Sequence, residues 1–421
     1  MKRRNFFSWM AGAGLCAAGL GRGAMAGLGS APSPQAGTYD GPFFVSFAAD
    51  GGWDPTGFCD PHTNLHRGYD DSGIVSLGGV RYANVGDNAA FFERFADKLL
   101  VVNGLDLTTN NHAIGRRYVG TGKQDETHPH WAALAAGTHG PELPLAYVAE
   151  ASESASEGVV ARSRVSNSSV LADLSFPDRV NPANLEDLST YQSGAALDMV
   201  SQWRGSRLDR MAQEQHLPRI AKAAEDLSTA RLGSNELELL AEYLPEALSS
   251  TGIRQQMQVA LAAYAAGIAV SATFSMGGFD THDNNDARQD SARASFLGAI
   301  MEFWDEAERL GIADRIVLSV GSDFGRTNSY NGANGKDHWP VTSMMLMGQG
   351  IEGNRTVGAT DDQQYAQRVD PKTLELSEDG VTLTPAHVHA ELRKLAGVSA
   401  DLQARFPLPT EPLEGSILGS A

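Results

Sequence analysis

Metal-type side chains recur in this chain at the ends of apolar runs. Asp50 closes a first run, and Gly277-Gly278-Phe279-Asp280-Thr281-His282 follows a second. Ser322-Asp323-Phe324-Gly325-Arg326-Thr327 follows a third, and Asp337-His338 comes soon after, across a Gly/Asn-rich loop. Borderline divalent cations take carboxylate oxygen and imidazole nitrogen together. A single Asp-x-His is as well explained by a helix cap beside a surface histidine, but three run ends with the same ligand chemistry point to a metal centre. Asp50, Asp280, His282, Asp323 and His338 are the expected ligands. Zinc is the expected ion, with manganese or calcium as alternatives. Arg326, beside Asp323, either grips an anionic substrate bidentately or pairs with that carboxylate.

The elements that must position these residues can be read from the pattern. Phe43–Ala49 and residues 98–103, 268–276, 315–320 and 343–347 read as buried strands. Phe296, Leu297, Ile300, Phe303, Trp304 and Ala307 fall on one helical face that ends at Gly311, and residues 385–396 form a last helix. Strands alternating with helices predict an α/β domain with a mainly parallel sheet covered on both faces. Ligands of such sheets lie beyond the carboxyl ends of the strands, where Asp50, Asp280 and Asp323 fall. Residues 171–265 are helical in pattern and broken by Pro182, Pro218 and Pro245, with Ser234 capping one piece. They read as a helical insertion. Residues 353–383 read as a loop or short hairpin. His112, His128 and His130 follow the second strand, near enough to reach the same face. His62 and His66 read as rim residues, and His387 and His389 as solvated.

The remaining signals concern partners and compartment. With 33 Lys+Arg against 51 Asp+Glu and a net charge of −18, the chain is a poor match for a nucleic-acid backbone. Residues 1–26 carry Arg3-Arg4, a short Gly/Ala-rich apolar stretch and Ala24-Met25-Ala26, which together read as a twin-arginine signal peptide rather than a membrane span. Residues 27–40 read as a flexible lead-in, 41–400 as the folded domain and 401–421 as a C-terminal tail. The expected location is therefore the periplasm or outside the cell, with no membrane insertion. Cys59 is the only cysteine beyond the leader, so no internal disulfide is expected.

In order and spacing, Ala49-Asp50-Gly51-Gly52-Trp53-Asp54, Gly278-Phe279-Asp280-Thr281-His282, Ser322-Asp323-Phe324-Gly325-Arg326-Thr327 and Asp337-His338, behind a twin-arginine leader, resemble the alkaline-phosphatase-like and sulfatase superfamily. The closer resemblance is to its exported branch, the domain-of-unknown-function 1501 (DUF1501) family, over about residues 40 to 400. The resemblance implies a three-layer α/β/α sandwich with metals at the strand ends and hydrolysis of a phosphate or sulfate ester. It places Asp280, His282 and His338 on one metal and Asp50 and Asp323 on a second, with Phe324 where that second site would have a histidine. It puts Asn111 in the nucleophile position, unless the register slips to Thr108 or Thr109. A carboxamide is not a nucleophile, so a metal-activated water is expected to attack, with Asn111, His112 and Arg326 as the catalytic and anion-binding groups.

The expected function is thus an exported, metal-dependent hydrolase acting on an anionic ester of a small molecule or saccharide. The alternative is a non-catalytic, metal-binding descendant of the fold that serves as a periplasmic binding or assembly protein.

Overall fold

Strand β1 (Phe43–Ala49) shows how the sheet is built. Phe43, Val45, Phe47 and Ala49 enter one core and Phe44 the opposite one, so the strand is buried on both faces. The computed structural model describes residues 39–63, 71–165, 176, 178–181, 187–214, 217–220, 223, 239–240, 243–245, 248–249, 252–410 and 413–419. The expected signal peptide and most of the expected lead-in, His66, and the capped helix expected after Ser234 lie outside these residues.

β1 is flanked by β7 (Ser271–Met276) and β8 (Ile316–Ser322), both parallel to it. Outward from β7 come β5 (Tyr147–Ala149) and β6 (Arg162–Ser163). Outward from β8 come β11 (Val341–Gly348), β4 (Leu99–Asp106) and β12 (Arg355–Val357). The eight-stranded sheet is parallel except for β11, which runs antiparallel to both neighbours. It returns directly from the hairpin of β9 (Gly325–Arg326) and β10 (His338–Trp339), with no crossover helix to restore its direction. Residues 353–383 do more than loop: β12 extends the sheet edge, and β13 (Arg368–Val369) pairs with β14 (Val381–Thr382) as a small hairpin, as β2 (Ile74–Leu77) does with β3 (Val80–Ala83).

Helices cover both faces, giving the three-layer α/β/α sandwich. α1 (Asn88–Phe95), α5 (Gly252–Ala265) and α6 (Asn285–Arg309) pack with Phe47, Phe274 and Phe303 on one side. α2 (His112–Thr121), α3 (Trp131–His139) and α7 (Pro385–Leu395) pack with Phe44, Leu346 and Val388 on the other. Full burial of an aromatic such as Phe47 stabilises by roughly 2–3 kcal/mol. Of the expected insertion, α4 (Gly194–Glu214) and α5 are described helices. The expected tail begins within α8 (Ala400–Arg405), and Ile417 and Leu418 are buried in the second core, so this stretch is part of the domain. Among the described residues no helix is long and apolar enough to cross a membrane.

Candidate metal centre

The sheet register creates the site. Ala49 pairs with Met276 on one side and Ser322 on the other, so three parallel strands end at one level. Asp50, the loop to Asp280, and Asp323 therefore emerge side by side. Gly51 and Gly52, with φ of 123° and 88°, turn the chain beneath this level, and a Cβ on Gly52 would lie 2.6 Å from the Phe324 ring. Helix α2 presses in from above. A Cβ on Gly115 would stand 2.0 Å from the Asp323 carbonyl oxygen, so only glycine lets the helix bring His112 so close. The helix starts at Asn111, whose side-chain oxygen accepts the Ile114 N–H (3.1 Å), and ends at the left-handed Gly122.

His282 and His338 meet through their Nε2 atoms, 2.9 Å apart. His282 Nδ1 lies 2.8 Å from Asp337 Oδ1, and His338 Nδ1 lies 2.8 Å from the Asn110 carbonyl. A carboxylate and a carbonyl only accept, so both Nδ1 atoms carry a proton, which leaves Nε2 as the atom of each ring whose lone pair can face the cluster. Asp280 Oδ1 joins them, 3.1 Å from His282 Nε2 and 3.4 Å from His338 Nε2. Lone pairs so close repel unless a proton or cation lies between them, and the Nδ1–H partners are those that orient metal-binding imidazoles. The donor set fits a divalent ion. Burial pulls the His338 imidazole below its usual range, and the Arg326 charge adds to this, which keeps the lone pair available. Burial alone would raise the Asp280 carboxyl, but the hydrogen bond and charge of Arg326, with His112 and His282, hold it below the carboxylate range.

His112 borders this group. Its Nδ1 lies 2.7 Å from Asp323 Oδ2 and its Nε2 3.6 Å from Asp280 Oδ2. One ligand atom each from His112, Asp280 and His338 falls within 4.8 Å of the others. Beneath them lies the buried Phe324 ring, 4.7 Å from the His112 ring and 4.3 Å from the His338 ring between centroids.

The other expected residues take different places. Asp323 is buried behind His112, with Oδ2 accepting from His112 and from Arg116 (3.3 Å) and Oδ1 without a partner. Asp50 accepts from Ser152 (2.9 Å), and burial, reinforced by the Asp323 charge, pushes its carboxyl up. Arg326 is fully buried and pairs with Asp280 (2.8 Å) rather than Asp323. Its remaining donors hold the carbonyls of Gly52 and Lys336 (2.9 Å each) and of Gly51, so it clamps three loops and has no fork left for a substrate. Asn111 caps a helix. Thr108, at φ 52°, donates to the Leu107 carbonyl.

The outlying histidines are built into the fold. His130 caps α3 through Nδ1, and His128 contacts the Pro407 carbonyl (3.1 Å). His387 and His389 are buried, not solvated: His387 completes the capping box of α7, and His389 donates to the Val119 carbonyl (2.8 Å). His62 bonds Thr360 (2.8 Å) in a separate polar cluster with Asp60. Sequence reasoning missed Arg116 and the orienting role of Asp337. Arg116 had one available signal: it stands four residues after His112, on the same helix face.

No curated protein matches the sequence. Among solved structures the chain is similar to the sulfatase PsFucS1 from Pseudoalteromonas sp., at 10% identity over 99% of this chain and 77% of that one, TM-score 0.39. It is also similar to the lipoteichoic acid synthase LtaP from Listeria monocytogenes (9%; 94% and 80%; 0.40). A third is the alkaline phosphatase from the Antarctic bacterium TAB5 (10%; 86% and 100%; 0.36). At such scores these likenesses assign no activity, and the site's chemistry rests on its own residues. The family described as "Protein of unknown function (DUF1501)" matches residues 45–376, a stretch that contains every strand-end loop of the site. The chain belongs to the DUF1501 family.

Proposed function

We propose that this chain is an exported, metal-dependent hydrolase of phosphate or sulfate esters on small molecules or saccharides. The observation that carries the reading is the convergence of two oriented Nε2 lone pairs and Asp280 Oδ1 within 2.9–3.4 Å. Asp280, His282 and His338 would hold the ion, with zinc suited to the mixed imidazole and carboxylate set. When bound, a divalent ion supplies Lewis acidity towards an ester oxygen and lowers the pKa of water. His112 is fixed by Asp323 through Nδ1, so its Nε2 is the atom positioned to exchange a proton with the attacking water or the leaving oxygen. Asn111 spends its oxygen on the helix cap, and its amide nitrogen is a donor for an ester oxygen. Thr108, an alternative nucleophile, spends its hydroxyl proton on the Leu107 carbonyl, which supports direct attack by water.

The test is a panel of aryl phosphate and sulfate esters with the protein metal-loaded and chelator-treated. Metal-dependent turnover is expected, with inversion at phosphorus on a chiral phosphate ester; retention would mean a covalent enzyme intermediate and sink the direct-attack scheme. Export rests on residues outside the described structure. Replacing Arg3 and Arg4 with Lys is expected to keep the precursor in the cytoplasm, and normal delivery of that variant would remove the claim.

A specific observation favours the non-catalytic alternative. His112, Asp280 and His338 also bring one ligand atom each within 4.8 Å of one another, so His112 can serve as a ligand instead of a proton-transfer group. Stoichiometric metal with no turnover of any ester would decide for that reading.

A further inference from the structure

The proposed ion accounts for Asp280, His282 and His338, but leaves a second group of acids at the strand ends. Asp323 is buried, with one oxygen unpartnered, and Asp50 is close enough for the Asp323 charge to push the Asp50 carboxyl up, after burial itself. The resemblance would place a second metal here, and the residues present do not fit one. The expected histidine is Phe324, whose ring is fully buried, touches His112 and His338, and is backed by Gly52 where even a Cβ has no room. The ring therefore cannot swing aside to admit another ligand.

The position already has a cation. Arg116 Nη1 lies 3.3 Å from Asp323 Oδ2, and its charge also acts on Asp50, drawing that carboxyl down against the effect of burial. A divalent ion between Asp50 and Asp323 would sit against this guanidinium. Arg116 differs from Arg326 in how its donors are used. Arg326 is 0% exposed and engaged by three carbonyls and a carboxylate, whereas the Arg116 side chain is 30% exposed and its one described hydrogen bond is to Asp323. Arg116 also stands one helical turn after His112, on the face of α2 that overlooks the site.

We propose that Arg116 is the fixed second cation of the site: it takes the place of a second metal ion, and its remaining guanidinium donors bind an oxyanion oxygen of the substrate. This deepens the proposed function and rests on it only for the first ion. A guanidinium offers parallel N–H donors to a phosphate or sulfate group without needing to be loaded, so the chain would run on one exchangeable ion where a two-metal site needs two.

The experiment uses the full chain and two readouts, neither of which is turnover: bound ions per chain after saturation with zinc, and calorimetric titration with inorganic phosphate. The expected result is one ion per wild-type chain, with phosphate affinity falling about 10- to 100-fold in Arg116→Ala and only partly restored in Arg116→Lys, which keeps the charge but not the planar fork. Melting of each variant confirms that the comparison is between folded proteins. Two ions per wild-type chain, or phosphate affinity unchanged in Arg116→Ala, would overturn the proposal. A protein that binds no ion yet loses phosphate on Arg116→Ala would overturn the metal reading of the function while supporting this one.

Discussion

Arg326 is buried at the level where the sheet strands end and pairs with Asp280 at 2.8 Å. Beside Asp323 in sequence, it looked like a substrate clamp or that residue's ion-pair partner. In the fold its donors reach Asp280, Gly51 and Gly52, brought to it by the loops after two other strands, and Lys336 in the turn of its own hairpin. Sequence adjacency carried no information about that, because most of these partners come from crossings between strands far apart in the chain. Removing the guanidinium leaves buried carbonyls unpaired, so Arg326→Ala is expected to cost about 2–4 kcal/mol in denaturant unfolding. Arg326→Lys should recover only part, since an ammonium cannot reproduce the planar fork. A wild-type midpoint for Arg326→Lys, with only substrate binding impaired, would restore the clamp reading. The clustering of Asp280, His282 and His338 was legible because carboxylates and imidazoles recur in the loops that follow apolar runs. Arg116 was not, because an arginine on a helix is ordinarily a solvated one.

Helix α2 is the element on which the site turns. Its first residue is His112, its cap is Asn111, and its contact with the sheet runs through Gly115 against Asp323. Asn111→Ala is expected to lower stability by about 1 kcal/mol, while Asn111→Asp or Asn111→Ser keeps a capping oxygen and stays near wild type. If Asp and Ser fail as Ala does, the cap is not what Asn111 contributes. The central strands were legible because strands buried on both faces read as continuous apolar runs, and β1, β4, β7 and β8 all appear where such runs occur. The direction of β11 was not, since direction depends on whether a crossover helix precedes the strand. α3 was missed for another reason: Trp131 through Ala136 are all buried, so the helix has no polar face to create a period. The edge strands β6 and β12, and β5 next to the edge, are two or three residues long, too short to show alternation.

Behind the site, the second core encloses imidazoles that must remain neutral. Burial pushes His130 and His389 down to about 3 each, while the unfolded chain titrates near 6.5. Because the folded values are depressed, the unfolded state binds more protons below pH 6.5, so stability is full above that pH and declines as pH falls towards 3. Each histidine is worth about 2 kcal/mol of loss at pH 5. His389→Gln retains a donor for the Val119 carbonyl and has nothing to titrate. Its unfolding free energy should therefore fall less steeply than wild type between pH 6.5 and 3; parallel curves would show that His389 is not buried neutral. The fold as a whole brings three sheet-end loops and one helix to a single point, and the metal centre at that point is the claim on which the functional reading stands. Anomalous scattering at the zinc edge, from crystals of the full chain grown with zinc, tests it most directly. One strong peak is predicted at about 2.0–2.2 Å from His282 Nε2, His338 Nε2 and an Asp280 oxygen, absent in His282→Ala crystals; an empty map at those three atoms in the zinc-grown crystals would contradict the account.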